Sequence, residues 1–372
     1  MNRIVCALVL GFTMLFIGAS DASAGQFKPA VYYKVANTPA QVIAADFNHD
    51  GNLDLAVADY LANEVSILLG NGDGTFQKAL KFPADSPVGL AAGDLNGDGN
   101  QDLVVVENFD TSLLAVFLGD GTGKFHKSVT YTSGQVSESV VLADFNGDGN
   151  LDAAVANFGG GDVWVLFGDG KGKFGKPSKY KVPNAYAIAA DDLNGDHHPD
   201  MVVGQASGGG VQIFLNDGTG KFGKPTSYLS GMGETLGVAI ADLNHDHHPD
   251  LVVANVQTSS VAVLLNQGNG TFGNATTYVT GGSWGMGTYA VVVADFNRDG
   301  NPDLAAVNQD GNSALLYGRG NGKFGPTIQI NDEFRFDGGI TLTAGDFNND
   351  GAPDLAIGIL NDARVAILLN TK

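Results

Sequence analysis

Asp46-Phe47-Asn48-His49-Asp50-Gly51-Asn52-Leu53-Asp54 is the stretch that decides the fold, because the chain repeats it. It returns as Asp94-Leu-Asn96-Gly-Asp98-Gly99-Asn100-Gln-Asp102, and again from Asp144, Asp192, Asp242, Asp295 and Asp346, with start-to-start spacings of 48, 50, 48, 50, 53 and 51. Self-similarity at a period near 50 marks a repeat architecture, and it organises everything around it.

Each copy sits in the same context. A short run of small and β-branched residues precedes it, such as Val42-Ile-Ala-Ala45 or Val291-Val-Val-Ala294. Another follows, such as Leu55-Ala-Val-Ala58, then a third, such as Val65-Ser-Ile-Leu-Leu69. A Gly-rich turn ending in Phe comes next (Gly70 to Phe76, Gly168 to Phe174), and a fourth run such as Ser178-Lys-Tyr180 closes the unit. Four strand-length runs bounded by Gly, Asn and Asp predict four short strands per unit, and no segment holds a 3.6-residue period that would predict a helix. Units of this kind predict an all-β, seven-bladed β-propeller with four-stranded antiparallel blades. A solenoid would need polar capping repeats, and none is present. The stretch Gly25 to Tyr33 matches a fourth strand, whereas the chain ends on a third strand, Val365 to Asn370. The N-terminal strand is therefore expected to close the last blade. The Ala- and Gly-rich strand before each Asp loop suits the crowded innermost position, and the Phe of each Gly-rich turn is expected to pack between blades.

The nine-residue pattern places oxygen-bearing side chains at positions 1, 3, 5 and 9, with a backbone carbonyl available at position 7. Gly at position 6 allows the positive φ of a sharp turn. Hard oxygen donors at this density select calcium, although no Glu stands at position 12 as in an EF-hand and the flanks are strands. The candidate ligands are Asp46, Asn48, Asp50, Asn52 and Asp54; Asp94, Asn96, Asp98, Asn100 and Asp102; Asp144, Asn146, Asp148, Asn150 and Asp152. Loops four and five give Asp192, Asn194, Asp196, His198 and Asp200, and Asp242, Asn244, Asp246, His248 and Asp250. The last two give Asp295, Asn297, Asp299, Asn301 and Asp303, and Asp346, Asn348, Asp350, Ala352 and Asp354. Up to seven Ca²⁺ are expected. Plain Asx-turns are the alternative for any one loop. In loops four and five, His197 and His247 replace the position-6 Gly. His tolerates positive φ, so the turn survives with strain and weaker calcium binding is expected; the alternative is a transition-metal site.

The first residues, basic at Arg3, apolar from Ile4 to Ile17 and ending in Ala22-Ser23-Ala24, read as a signal peptide over residues 1–24, with one domain over 25–372. The protein is expected to be secreted, periplasmic or at the cell surface. The only cysteine, Cys6, lies in that segment, so no disulfide staples the rest. A net charge of -20 argues against nucleic acid, and no other run is long enough to span a membrane. The loops hold three aspartates each, twenty-one of the 39 acids that remain without Asp21.

The loops and Gly-rich Phe turns together resemble the FG-GAP/VCBS repeats, over nearly all of residues 25–372. That resemblance implies the calcium-binding propeller of integrin α-subunits, fungal lectins and secreted bacterial proteins, with the loop residues above as ligands. It does not imply one function. The face opposite the Asp loops is expected to bind a carbohydrate or protein ligand, as a monomer, through Trp284, Tyr289, Phe334, Arg335 and Tyr186, with Phe109 and Phe158 on the same side. The residue five after each final Asp is polar in six blades (Asp59, Glu107, Asn157, Gln205, Asn255, Asn308) and Ile359 in the last. Satisfying loop backbone groups is its expected role. A polysaccharide lyase or hydrolase is the alternative; no Cys or Gly-x-Ser-x-Gly nucleophile is present, and six of the seven His belong to the Asp loops.

Overall fold

The computed structural model describes residues 26–108, 112–282, 286–330 and 338–372. The expected signal peptide lies outside them, as do Phe109, Trp284, Phe334 and Arg335. Among the described residues there are 28 strands and one 3-10 turn, Tyr60–Ala62.

The chain opens with β1 (Val31–Lys34). Seven unit-opening strands follow: β2 (Pro39–Ala45), β6 (Pro87–Gly93), β10 (Ser137–Ala143), β14 (Ala185–Asp191), β18 (Thr235–Ala241), β22 (Thr288–Ala294) and β26 (Gly339–Gly345). Each is the first strand of a four-stranded antiparallel sheet, the first being β2, β3 (Asp54–Asp59), β4 (Glu64–Leu68) and β5 (Leu80–Pro83) in that order. Every opening strand packs against those of the two neighbouring sheets, and β26 returns to β2, so the seven sheets close a circle. Small residues at these positions permit the crowding, as expected. Each opening strand also bulges at its start, where pairing skips a residue, for example between Pro39 and Gln41 or between Thr288 and Ala290. A bulge at one position in all seven blades aims the skipped side chain out of the alternation of the strand.

The last blade runs β26, β27 (Asp354–Ile359), β28 (Arg364–Leu368), and then β1. The N-terminal strand thus supplies the missing fourth strand, with Val31 opposite Ile367 and Lys34 opposite Arg364.

The core lies between blades. The second and third strands are almost wholly buried, so they read as continuous apolar runs. At each junction the Phe of a Gly-rich turn meets the preceding blade. Phe174 packs edge-on to Tyr131, Phe222 to Tyr180, Phe272 to Tyr228 and Phe324 to Tyr278, with centroids 5.3 to 5.9 Å apart. In the same four pairs the Phe amide donates to the Tyr hydroxyl at 2.8, 3.3, 3.2 and 3.2 Å. Each Tyr therefore buries its ring and satisfies its polar end in one contact. The ring of Tyr33 in β1 likewise packs edge-on to Phe76 at 5.4 Å, so β1 packs as a regular fourth strand.

Candidate functional site

Because every sheet runs outward from an inner strand of the same direction, all Asp loops and Gly-rich turns lie on one face. The second hairpin loops and the blade crossovers lie on the other. On the Asp-loop face, neighbouring loops touch. His49 Nε2 is 2.9 Å from Asn100 Oδ1, His245 Nε2 is 3.2 Å from Asn301 Oδ1, and Asn349 Nδ2 donates to Asn52 Oδ1 at 2.8 Å. Position 4 of one loop thus meets position 7 of the next.

Backbone N–H groups hold each loop open around its carboxylates. In the first, Asp46 accepts from the amides of Asn48 and Gly51, Asn48 Oδ1 from Asp50, and Asp50 Oδ1 from Asn52. Positions 4 and 6 both have positive φ: His49 at 59° and Gly51 at 83°. The two His-bearing loops keep this turn, with His197 at 69° and His247 at 66°. Their Nδ1 atoms lie 3.8 and 4.0 Å from Asp192 and Asp242, too far for a hydrogen bond. Positive φ at position 4 in all seven loops was missed from sequence, though Gly, His, Asn or Arg at that place is its signature.

The final Asp of each loop does something further. Asp54, Asp102, Asp152, Asp200, Asp250, Asp303 and Asp354 are all fully buried at the start of a second strand. One oxygen of Asp54 accepts from Phe47 of its own loop and the other from Gly70 of the Gly-rich turn, at 2.8 and 2.7 Å. The same clamp recurs in the other six loops. Burial pushes the Asp54 carboxyl up to about 6, against the pull of those two N–H groups and with repulsion from Asp50 and Asp46 adding to it.

The donor chemistry of the loops fits a hard cation. Among the described residues no Lys or Arg lies within ion-pair distance of any loop carboxylate. Each carboxylate oxygen that takes one N–H keeps a second lone pair. The spacing is that of a loop held by its own backbone: among the described residues, no three Asp, Glu, His or Cys side chains stand close enough together to grip an ion between them.

On the opposite face, the polar residues at the ends of the second strands are turned inward to loop groups. Asn157 Oδ1 accepts from the Gly134 amide and the Ser137 hydroxyl at 3.1 and 2.6 Å. Asn255 and Asn308 accept from Ser230 and from Thr280 in the same way, and Gln205 donates to the Pro183 carbonyl. Glu107 accepts from the Asp85 amide and from Lys127. Asp59 is the exception. It takes the Ser66 hydroxyl at 2.6 Å on Oδ2, while buried Oδ1 has no hydrogen-bond partner, and burial pushes it up to about 7. A folded-state value above the unfolded one means that ionised Asp59 opposes folding at high pH and the proton removes that cost at low pH. Asp59→Asn, the residue three other blades carry here, is expected to stabilise the protein by about 1–3 kcal/mol near pH 8. The gain should shrink as pH falls from 7 toward 4, as thermal melts across that range would show.

Two residues of the expected ligand surface lie among the described residues. Tyr186 and Tyr289 do not sit on loops: each is the second residue of an inner strand, β14 and β22, at the skipped position of the bulge. Phe158 is a loop residue, exposed, and packs edge-on to Tyr186 at 6.5 Å. Sequence reading missed a pocket of about 430 Å³ beside blade three, lined by Ser133, Gly134, Gln135, Gly159, Gly160, Asp162 and Trp164. Its walls are the crossover between β9 (Phe125–Thr132) and β10, and the loop joining β11 (Asp152–Asn157) to β12 (Asp162–Leu166). Lys179 Nζ caps the Trp164 ring at 3.7 Å, and the buried indole N–H has no hydrogen-bond partner. Beside it, Val136 is exposed with φ of 50°, where blades one, two and four carry Thr38, Ser86 and Asn184. A β-branched residue in that region stores strain.

Fold and loops together define a propeller built on Asp-loop repeats. A sequence profile of the FG-GAP-like repeat family matches residues 46–105, 94–155, 144–203, 192–253, 244–306 and 295–357, and the chain belongs to that family. Among solved structures it is similar to an Agrocybe aegerita lectin, described by its recognition of non-reducing terminal N-acetylglucosamine. The identity is 18%, the TM-score 0.59, and the match covers 92% of this chain and 97% of that one. It is also similar to BBS1N, solved in complex with ARL6DN, at 12% identity and a TM-score of 0.65, covering 94% and 98%. No curated protein matches the sequence. Among the described residues, no helix is long and apolar enough to cross a membrane.

Proposed function

We propose that this is a secreted, calcium-loaded binding module that takes a carbohydrate on the face opposite its Asp loops. The blade-three pocket carries this reading. A saccharide offers a ring of C–H groups and a rim of hydroxyls. The pocket offers the Asp162 carboxylate, the Gln135 amide and the Ser133 hydroxyl beside the Trp164 indole, whose own N–H is buried, over a glycine floor that admits close approach. The lectin of similar fold is in keeping with it. The Asp loops serve as the rigid base: uncompensated carboxylates and Asn oxygens hold calcium, which stiffens the face on which neighbouring loops touch. Loops four and five bind it more weakly, because His at positive φ strains their turn.

The polysaccharide-active reading fares worse at this site. Glycosidic hydrolysis usually needs two carboxylates across the bond, and the pocket lining contains one, Asp162.

A glycan array probed with the calcium-loaded protein tests the proposal. Binding to a defined saccharide set is expected, and Trp164→Ala and Asp162→Ala should each weaken it at least about tenfold, the worth of a buried aromatic or charge-assisted contact. Array signal that neither substitution changes, in variants that melt as the parent does, places the ligand elsewhere. Silence on the array with capture of a protein ligand makes the module a protein binder.

A further inference from the structure

The skipped residue of each inner strand lies at the start of that strand, so the seven positions ring one end of the circle of inner strands, on the same face as the blade-three pocket. Four blades put an apolar residue there, but blades three, four and six put Glu138, Tyr186 and Tyr289. Glu234, just before β18 of blade five, joins them. Tyr186 of blade four feels the charges of Glu138 and Glu234 and also Tyr289, two blades away. All four are partly buried. Among the described residues, Glu138 has no ion pair, and no hydrogen bond reaches its carboxyl. Among the described residues, two carboxylates without an ion-pair partner thus share this end of the ring with two phenol rings.

We propose that this end of the ring binds a primary alkylammonium group, with Glu138 and Glu234 as its counter-charges and the faces of Tyr186 and Tyr289 as its walls. Aromatic faces attract an ammonium ion, and their attraction grows when water is excluded. A bare divalent cation would ask instead for several hard oxygens. The apolar residues of the other blades suit a methylene stem entering behind the charge. The group can come from a free diamine or from a lysyl side chain. The site is separate from the blade-three pocket and stands whether or not that pocket takes a saccharide.

Protonation gives the site a pH signature. The titratable groups facing one another are Glu138, Glu234, Tyr186 and Tyr289. Burial pushes the Glu138 carboxyl up to about 7 and the Tyr186 phenol up as well, so both tyrosines stay neutral while Glu138 ionises between pH 6 and 8. An alkylammonium remains charged throughout, because its pKa lies near 10. Binding should therefore strengthen as pH rises.

Isothermal titration of the calcium-loaded protein with 1,5-diaminopentane at low ionic strength is the test, with 1,5-pentanediol as the neutral isostere and an Nα-acetyl-lysine amide peptide as the second source. Saturable binding of the diamine near pH 8 is expected, none of the diol, and affinity lower by at least about tenfold near pH 6, the order of one charge-assisted contact. Glu138→Gln should cost about as much at pH 8 and flatten the pH dependence. Tyr186→Phe should keep most of the affinity because the ring remains, and Trp164→Ala should keep all of it. Diamine and peptide both binding points to a lysyl side chain as the natural occupant; diamine alone points to a free amine. Absence of diamine binding at pH 8, equal binding of the diol, or a Glu138→Gln variant with unchanged affinity and pH slope overturns the proposal. If that variant fails to fold, the diol comparison and the parent protein's pH series decide.

Discussion

Chelation is expected to lower the melting temperature of the calcium-loaded protein by about 15 °C. Extracellular calcium modules bind at about 10⁻⁴ to 10⁻³ M. At ~2 mM calcium and a Kd of ~0.1 mM, each loop contributes about 1.8 kcal/mol by mass action, and seven contribute about 12 kcal/mol as an upper figure. An unfolding entropy of about 0.7 kcal/mol/K for a chain of this length turns that into at most about 17 °C. No disulfide offsets the loss, because the only cysteine is Cys6. Proton competition sets the pH window. Burial pushes the final aspartates, such as Asp200 and Asp354, up to about 6, so below that pH an incoming ion must displace a proton and the chelator effect should fade. Asp50→Ala should remove one site and leave a stoichiometry near six. Asp196→Ala should matter less, since His197 already strains that loop. Calorimetry with and without chelator, together with metal analysis of the purified protein, decides the matter. An unchanged melting curve and fewer than two ions per chain would remove calcium from the account.

The loops were legible in the sequence because their requirements are local. Oxygen donors at alternate positions and a residue tolerant of positive φ leave the same letters in each copy, and seven copies fix both the blade count and the face they share. The closing strand was legible for a related reason: Phe27 to Tyr33 repeats the spacing of a Gly-turn Phe and a fourth-strand Tyr. The tyrosine hydroxyl that accepts the Phe amide of the next blade was less visible, since Tyr131 and Phe174 are 43 residues apart. The blade-three pocket was not visible at all. Gln135 lies in a crossover and Asp162 opens β12, and only the packing of crossover against hairpin brings them together. The inner-strand place of Tyr186 was not visible either, because the bulge before Ile188 breaks the two-residue alternation that would have shown which way it faces.

Removing residues 25–34 is expected to be the most damaging change of all, because it opens the circle. Four residue pairs join β1 to β28, and Phe27 bridges to Asn370. The Lys28 amide donates to the Leu369 carbonyl at 2.8 Å, and Thr371 donates back to Gln26 at 2.9 Å. Gln26 also reaches into blade six, giving a hydrogen bond to the Phe296 carbonyl at 2.7 Å and taking one from the Tyr317 hydroxyl at 2.6 Å. Phe27 packs on Phe296, Tyr33 on Phe76, and Arg364 lies over the Tyr32 ring at 4.2 Å. At about 1 kcal/mol for each hydrogen bond and about 1.5–3 kcal/mol for each buried aromatic, the loss is on the order of 10 kcal/mol. That is comparable to the whole stability of a domain. The truncation also bares the β28 edge, whose Val365, Ala366 and Ile367 are buried in the intact protein, and an unpaired apolar edge recruits other strands. Aggregation, or a melting temperature lowered by ten degrees or more, is expected by light scattering and calorimetry. A permuted chain separates loss of the strand from loss of the terminus. Because Thr371 already touches Gln26, residues 25–35 appended after Lys372 through a copy of a Gly-rich turn should restore a monomer with the parent's melting temperature. A truncated protein that stays monomeric and melts as before would mean that the blades hold together without the clasp.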